Sequence, residues 1–173
     1  SLTIANGGAV MGQGGNWAAI NADAGGTTNN PYGMGITLTA TTITINAGGA
    51  LNANGGYGGF YAGGPGYKTN VGAAAYGGQS SNACNPTYGS LSNCTALGSG
   101  GQGGFGGGAL KLIVTGTLTV DGTNACDGML ATWNYPAGSG GSLWIDCNTL
   151  QGAGVISANG GRAANDEGGG GGR

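Results

Sequence analysis

Four copies of one short pattern recur along the chain at residues 3–15, 44–56, 111–123 and 149–161. They read TIANGGAVMGQGG, TINAGGALNANGG, KLIVTGTLTVDGT and TLQGAGVISANGG. Aligned without a gap, they place Ile4, Ile45, Leu112 and Leu150 second, and Gly8, Gly49, Gly116 and Gly154 sixth. Val10, Leu51, Leu118 and Ile156 fall eighth, Gln13, Asn54, Asp121 and Asn159 eleventh, and Gly14, Gly55, Gly122 and Gly160 twelfth. The large apolar residues sit mainly at even positions, which is the two-residue period of a strand with one buried face. The sixth-position Gly and the Asn-Gly or Asp-Gly pair suit corners, because these residue types tolerate positive φ. Each copy therefore reads as strand, corner, strand, corner.

Glycine supplies 45 of the 173 residues, and Leu, Ile, Val and Phe together supply 26, about 15%. So few large apolar groups cannot fill a thick globular core, yet a net charge of -2 is too small to hold the chain open. Order must come from repeated backbone hydrogen bonding around a thin interior, because ordering Gly costs more backbone entropy than ordering any other residue. An Asn-Gly between strands also suits a two-residue hairpin and hence an antiparallel meander, but the segments that follow it are Gly-rich and irregular instead of a second matched strand. The expected fold is an all-β, Gly-rich parallel β-solenoid of about four rungs, forming a single domain over residues 1–173. Position eleven would then form a hydrogen-bonded ladder along the stack. The excursions between copies, the largest being residues 57–108, are expected to be long irregular surface loops. Tyr residues gathered in GGYGGFYAGGPGYK would cover a bare flank of the stack.

Charge excludes several functions. The basic residues are Lys68, Lys111, Arg162 and Arg173, too few for a stripe that could hold a phosphate backbone, so nucleic acid is not an expected partner. No apolar run approaches the roughly 18 residues of a membrane-spanning helix. The chain has no initiating Met and no visible signal peptide, and is expected to be a trimmed segment of a longer precursor. With no His there is no Ser-His-Asp arrangement, and the acids Asp23, Asp121, Asp127, Asp146, Asp166 and Glu167 share no repeated register that would pair carboxylates. No catalytic residue, metal site or cofactor is expected, and the chain is not read as an enzyme.

Cys84, Cys94, Cys126 and Cys147 contain no C-x-x-C pair, which disfavours zinc and favours two disulfides. Loop length favours Cys84 with Cys94 and Cys126 with Cys147 among the three possible connectivities. Asn93-Cys94-Thr95 is a plain N-x-S/T acceptor, whereas Asn85-Pro86-Thr87 is blocked by its Pro, so Asn93 is the candidate glycosylation site. The Thr-rich segment 37–44 raises the question of an ice-binding face, which needs Thr at the same place on every rung. The first position holds Thr3, Thr44, Lys111 and Thr149, and the ninth Met11, Asn52, Thr119 and Ser157, so on this alignment the rank is broken.

At GGSLWIDCNTLQGAGVISANGG, residues 140–161, the chain resembles the Gly-rich parallel β-solenoid repeats of large secreted and surface-anchored adhesin-like proteins. The resemblance covers about a third of the chain. It implies an extracellular structural or adhesive role and carries no catalytic motif. The run at 168–172 is also similar to proteins built from bundled extended Gly helices, but those need Gly at a strict period of three, which the repeats break.

The expected function is therefore that of a subunit of an extracellular filament or adhesive stalk, a homo-oligomer assembled end to end by strand pairing and apolar burial. Leu2, Ile4 and Val10 at one end, and Leu143, Ile145, Leu150, Val155 and Ile156 at the other, are the candidate junction residues. The alternative is a surface module that binds ice or a glycan through its Thr face or Tyr-rich insertion.

Overall fold

A computed structural model describes residues 1–12, 35–55, 66, 74–79, 87–101, 103–131, 135–163 and 168–173. Among them there is no helix. The strands, in chain order, are β1 (Leu2–Ile4), β2 (Ala9–Met11), β3 (Gly35–Ala40), β4 (Ile43–Ile45), β5 (Ala50–Asn52), β6 (Ala109–Val120), β7 (Thr123–Ala125), β8 (Ser142–Gln151) and β9 (Val155–Ser157). All pairings between them are parallel. One sheet runs β1-β4-β6-β3 with β8 also on β6, and the other runs β2-β5-β7-β9. Since β8 pairs with the same β6 residues as β3 and β4 do, β3 and β4 share one edge of β6 and β8 holds the other. Apolar side chains of both sheets, among them Ile4, Ile43, Ile45, Leu51, Leu112, Leu118 and Val120, form one buried cluster.

The all-strand character matches the sequence, but the four-rung β-solenoid with surface loops is overturned in three respects. The strands lie in two separate parallel sheets, not in four equivalent rungs. The sixth-position Gly does not turn the third copy, because β6 runs unbroken through Gly116. In the first two copies the turning residue is the fifth: Gly7 and Gly48 have φ of 76° and 78°, each within a turn closed from Gly8 N to Ala5 O and from Gly49 N to Asn46 O.

The third respect is register. The gap-free alignment put Leu112 beside Ile45, yet Ile45 is opposite Val120, while Leu112 lies between Leu38 and Ile145. The third copy is therefore displaced by eight residues against the second copy in the first sheet, and by six in the second sheet, where Asn124 and not Leu118 is opposite Leu51. The columns that face the core are Leu2–Ile43–Leu118–Leu150 in the first sheet and Val10–Leu51–Asn124–Ile156 in the second. The eleventh-position ladder shifts likewise. Asp127 N donates to Asn54 Oδ1 at 2.7 Å, and Asp127 Oδ1 accepts from Asn159 N at 2.6 Å, so Asp127 and not Asp121 stands between Asn54 and Asn159 in this ladder. Gln13 lies outside the described residues.

The insertion is a surface loop only in part: residues 89–93 are exposed, as expected, but much of the rest that is described is not. Residues 98–101 and 103–110 are almost wholly buried, as are Tyr76, Phe105 and Ala137. Gly98, Gly101, Gly104 and Gly107 recur every three residues, and a Cβ on any of them would fall closer than 3.0 Å to a neighbouring carbonyl oxygen. The hydrogen bonds keep the same period. Gly138 N donates to Met129 O, Ser139 N to Ser99 O and Gly140 N to Gly170 O, after which Gly141 N returns to the first neighbour at Cys126 O. Three consecutive donors thus point to three different segments, which is the arrangement of an extended three-residue helix with no internal hydrogen bonds. The strict period of three that the repeats lack is present between them, and segments 97–101, 103–108, 126–131, 136–141, 158–161 and 168–173 pack as a glycine bundle against the sheets, the first two bonded to each other from Gly98 N to Gly107 O and from Gly101 N to Gly104 O.

The corrected register puts an amide in the core. Asn124 is fully buried between Leu51 and Ile156, and neither its Oδ1 nor its Nδ2 has a hydrogen-bond partner. Asn124→Leu should raise the free energy of unfolding by about 1–3 kcal/mol, the penalty of an unsatisfied buried polar group. Gly141→Ala should lower it by about 1–3 kcal/mol, because its Cβ would overlap the Gly108 carbonyl. Urea midpoints of the two variants against the parent measure both changes.

Candidate functional site

Two sheets that progress in the same strand order leave two free ends. Strands β1 and β2 bound one end, where β3, paired only with β6 among the described strands, also forms an edge of the first sheet, and β8 and β9 bound the other. Among the described residues no further strand pairs beyond β1 and β2 or beyond β8 and β9, where the core columns end. Ile43, Leu118 and Leu51 within them are fully buried, yet Leu150 is 52% and Ile156 42% exposed at the last strands. Leu2 and Val10, the opposite termini of the same columns, are half-buried. Beside them Val155 and Met11 are also exposed. The strands β1, β2 and β9 carry no charge and no Pro, the residues that commonly protect a sheet edge.

The other candidate junction residues are placed differently. Ile4 is buried in the core cluster, and Leu143 and Ile145 pack against that cluster while half-buried. Part of the β8 edge is already covered, because Leu143 N donates to Arg173 O at 2.7 Å and Arg173 N to Gly141 O at 2.9 Å. Of the candidate junction residues, Leu150, Val155 and Ile156 are exposed and Leu2 and Val10 half-buried, while Ile4 is buried; Met11, which is not among them, is exposed beside Val10. Met11 was missed because its position holds Asn52, Thr119 and Ser157 in the aligned copies.

The titratable groups do not converge. No group of three His, Cys, Asp or Glu side chains that could hold a metal ion occurs among the described residues. Asp121 and Asp127 are both engaged in linking copies, Asp121 Oδ1 accepting from Ala153 N and Asp127 Oδ2 from the Ser157 hydroxyl. Asp146 is exposed on β8. Asp23, Asp166 and Glu167 lie outside the described residues. No helix among the described residues is long and apolar enough to cross a membrane.

Cys94, Cys126 and Cys147 are free thiols. The expected Cys126–Cys147 bridge is not formed. Cys126 follows β7 of the second sheet, while Cys147 lies on β8 of the first, in register with Val114. Cys84, the expected partner of Cys94, is outside the described residues. Asn93 is exposed, and its backbone N–H donates to Ser90 Oγ at 3.1 Å within a turn that leaves the acceptor sequence on the surface. The Tyr-rich stretch 56–70 falls outside the described residues apart from Gly66.

No family model, curated protein or solved structure matches the chain.

Burial pushes the Cys126 thiol from an ordinary value of 9.0 up to about 12. Between these values the unfolded chain loses the proton and the folded chain keeps it, so folding stability must fall as pH rises through this window. The fall should approach about 1.4 kcal/mol per pH unit. Tyr76, whose pKa is also raised by burial, titrates in the alkaline range too, so the thiol's share is read as the difference in pH slope between the parent and Cys126→Ala. Below about pH 7.5, where the thiol is protonated in both states, the two slopes should coincide.

Proposed function

We propose that this chain is a structural subunit of an extracellular filament or adhesive stalk, joined head to tail through the ends of its two parallel sheets. The observation that carries the proposal is the exposure of Leu150 and Ile156 at the last members of two otherwise buried columns. A second copy presenting Leu2 over Leu150 and Val10 over Ile156 would continue both columns, and its β1 and β2 would extend both ladders in the existing parallel sense. The two ends are different surfaces, so the contact is heterologous, and copies related by translation along the stack produce an open filament instead of a closed ring. Each of the exposed side chains is about half covered in the single copy, and burying the remainder contributes roughly 1 kcal/mol apiece. Strand pairing adds to this. The extracellular placement rests on the resemblance of residues 140–161 to the repeats of surface adhesin-like proteins.

Charge has little part in such a junction. Fibres should therefore persist in concentrated salt, which screens ion pairs but strengthens apolar contacts. Ile156→Asp should leave the subunit folded and abolish fibres in electron micrographs, because the carboxylate would be buried without a partner between copies. Ile4→Asp is the wrong test, since Ile4 is in the core and its replacement would unfold the subunit. Parent protein that stays monomeric by light scattering at high concentration, or Ile156→Asp protein that forms normal fibres, would overturn the proposal.

A further inference from the structure

The register that displaces the third copy also changes the outer face of the first sheet. In the gap-free alignment Lys111 interrupts the Thr rank. In the structure Thr3 lies beside Thr44, and Thr44 beside Thr119, giving an unbroken rank across three strands that ends on Gln151. A second rank lies two residues earlier. Thr117 is opposite Thr149, and Thr42 precedes Ile43 as Thr117 precedes Leu118 in the pairing of Ile43 with Leu118. Both ranks alternate with the buried Ile43, Ile45, Leu118 and Val120, so they face away from the core. Thr3 and Thr149 are exposed, and Thr42, Thr44, Thr117 and Thr119 half-exposed.

Parallel strands fix the spacing of such an array at about 4.7–4.9 Å between strands and about 6.6 Å between alternate residues along one strand. Both repeats lie close to the oxygen spacings of a prism face of hexagonal ice. Thr is suited to this geometry because its β-branch stiffens χ1, so each methyl and hydroxyl is held in one arrangement before water is ordered. A surface organised in advance spares the cost of ordering side chains on binding. Charge also agrees with an uncharged lattice. The two ranks hold no ionisable side chain, and the charges of this face, Lys111 and Asp146, lie toward the starts of β6 and β8, where Lys111 Nζ is 4.5 Å from the Trp144 ring centroid.

We propose that the outer face of β1, β4, β6 and β8 binds ice through the two Thr ranks. The proposal concerns the single subunit and does not depend on filament formation. It commits to crystalline water and not to a glycan, because the Thr ranks offer a periodic array, the hollow lined by Thr37, Cys94, Thr95 and Lys111 lies toward the start of β6 and away from them, and the ring of Trp144 is already engaged by Lys111.

The test is thermal hysteresis together with partition of the parent chain into slowly grown polycrystalline ice. The parent should shape ice crystals and concentrate in the ice fraction. Thr44→Tyr combined with Thr119→Tyr should lose both properties, since two rings would stand above the plane of the ranks. Circular dichroism matching the parent shows that this variant is folded. Asn52→Tyr, on the second sheet, should retain both, and a second variant pair, Thr44→Val with Thr119→Val, keeps the shape of the face and should retain ice partition. A parent chain without hysteresis or partition overturns the proposal, and so does activity that survives the double Tyr substitution or is lost equally in Asn52→Tyr.

Discussion

Close approach of one backbone to another is the interaction on which this structure rests. In the glycine bundle the peptide groups of neighbouring segments meet directly, and Gly98, Gly101, Gly104 and Gly107 each lie where a Cβ would overlap a carbonyl oxygen. That contact allows a chain with few large side chains to bury polypeptide at all. Segment 136–141, with donors to three neighbours, is held from several sides. Its rigidity passes to the sheets, because Gly141 and Ser142 lead straight into β8 and Gly108 leads into β6. The entropy lost by ordering so much Gly is offset by hydrogen bonds made in many directions, not by a hydrophobic interior of ordinary size.

The sheets add a thin apolar seam whose columns end on the exposed Leu150 and Ile156. This combination explains why the candidate sites are surfaces and not clefts. A glycine bundle has no side chains with which to build a pocket, and the seam is filled by Ile, Leu and Val. What remains available for function is the outside of the sheets and their ends. The ends carry the exposed termini of the columns, and the outer face carries Thr in register. Both are consequences of parallel pairing, which repeats one residue type at one place from strand to strand.

Several of these features were legible in the sequence. The eighth-position residues Val10, Leu51 and Ile156 do stack in the second sheet, and Gly-bearing turns do separate β1 from β2 and β4 from β5. The third copy was misread for a physical reason. KLIVTGTLTVDG and TLTVDGTNACDG share the two-residue alternation of apolar side chains, and both carry a Gly at the sixth position, so pattern alone cannot choose between registers six residues apart. The long β6 satisfies the alternation throughout. Only pairing with β3 on one half and β4 on the other decides which half corresponds to the repeat. Asn124 was invisible as a core residue because the favoured alignment put Leu118 in its column. The glycine bundle was missed because its three-residue period was sought inside the repeats, whereas it lies in the segments between them.

Amide hydrogen exchange of the glycines between the repeats tests the central claim most directly. If backbone contact in the bundle holds the fold together, the N–H groups of Gly98, Gly101, Gly107, Gly138 and Gly141 should be as strongly protected as those of Leu112 and Leu118 in β6, and all should open together in the same global transition. Exchange of these glycines at the rates of an unstructured chain, with β6 still protected, would contradict the account. The sheets would then stand without the bundle.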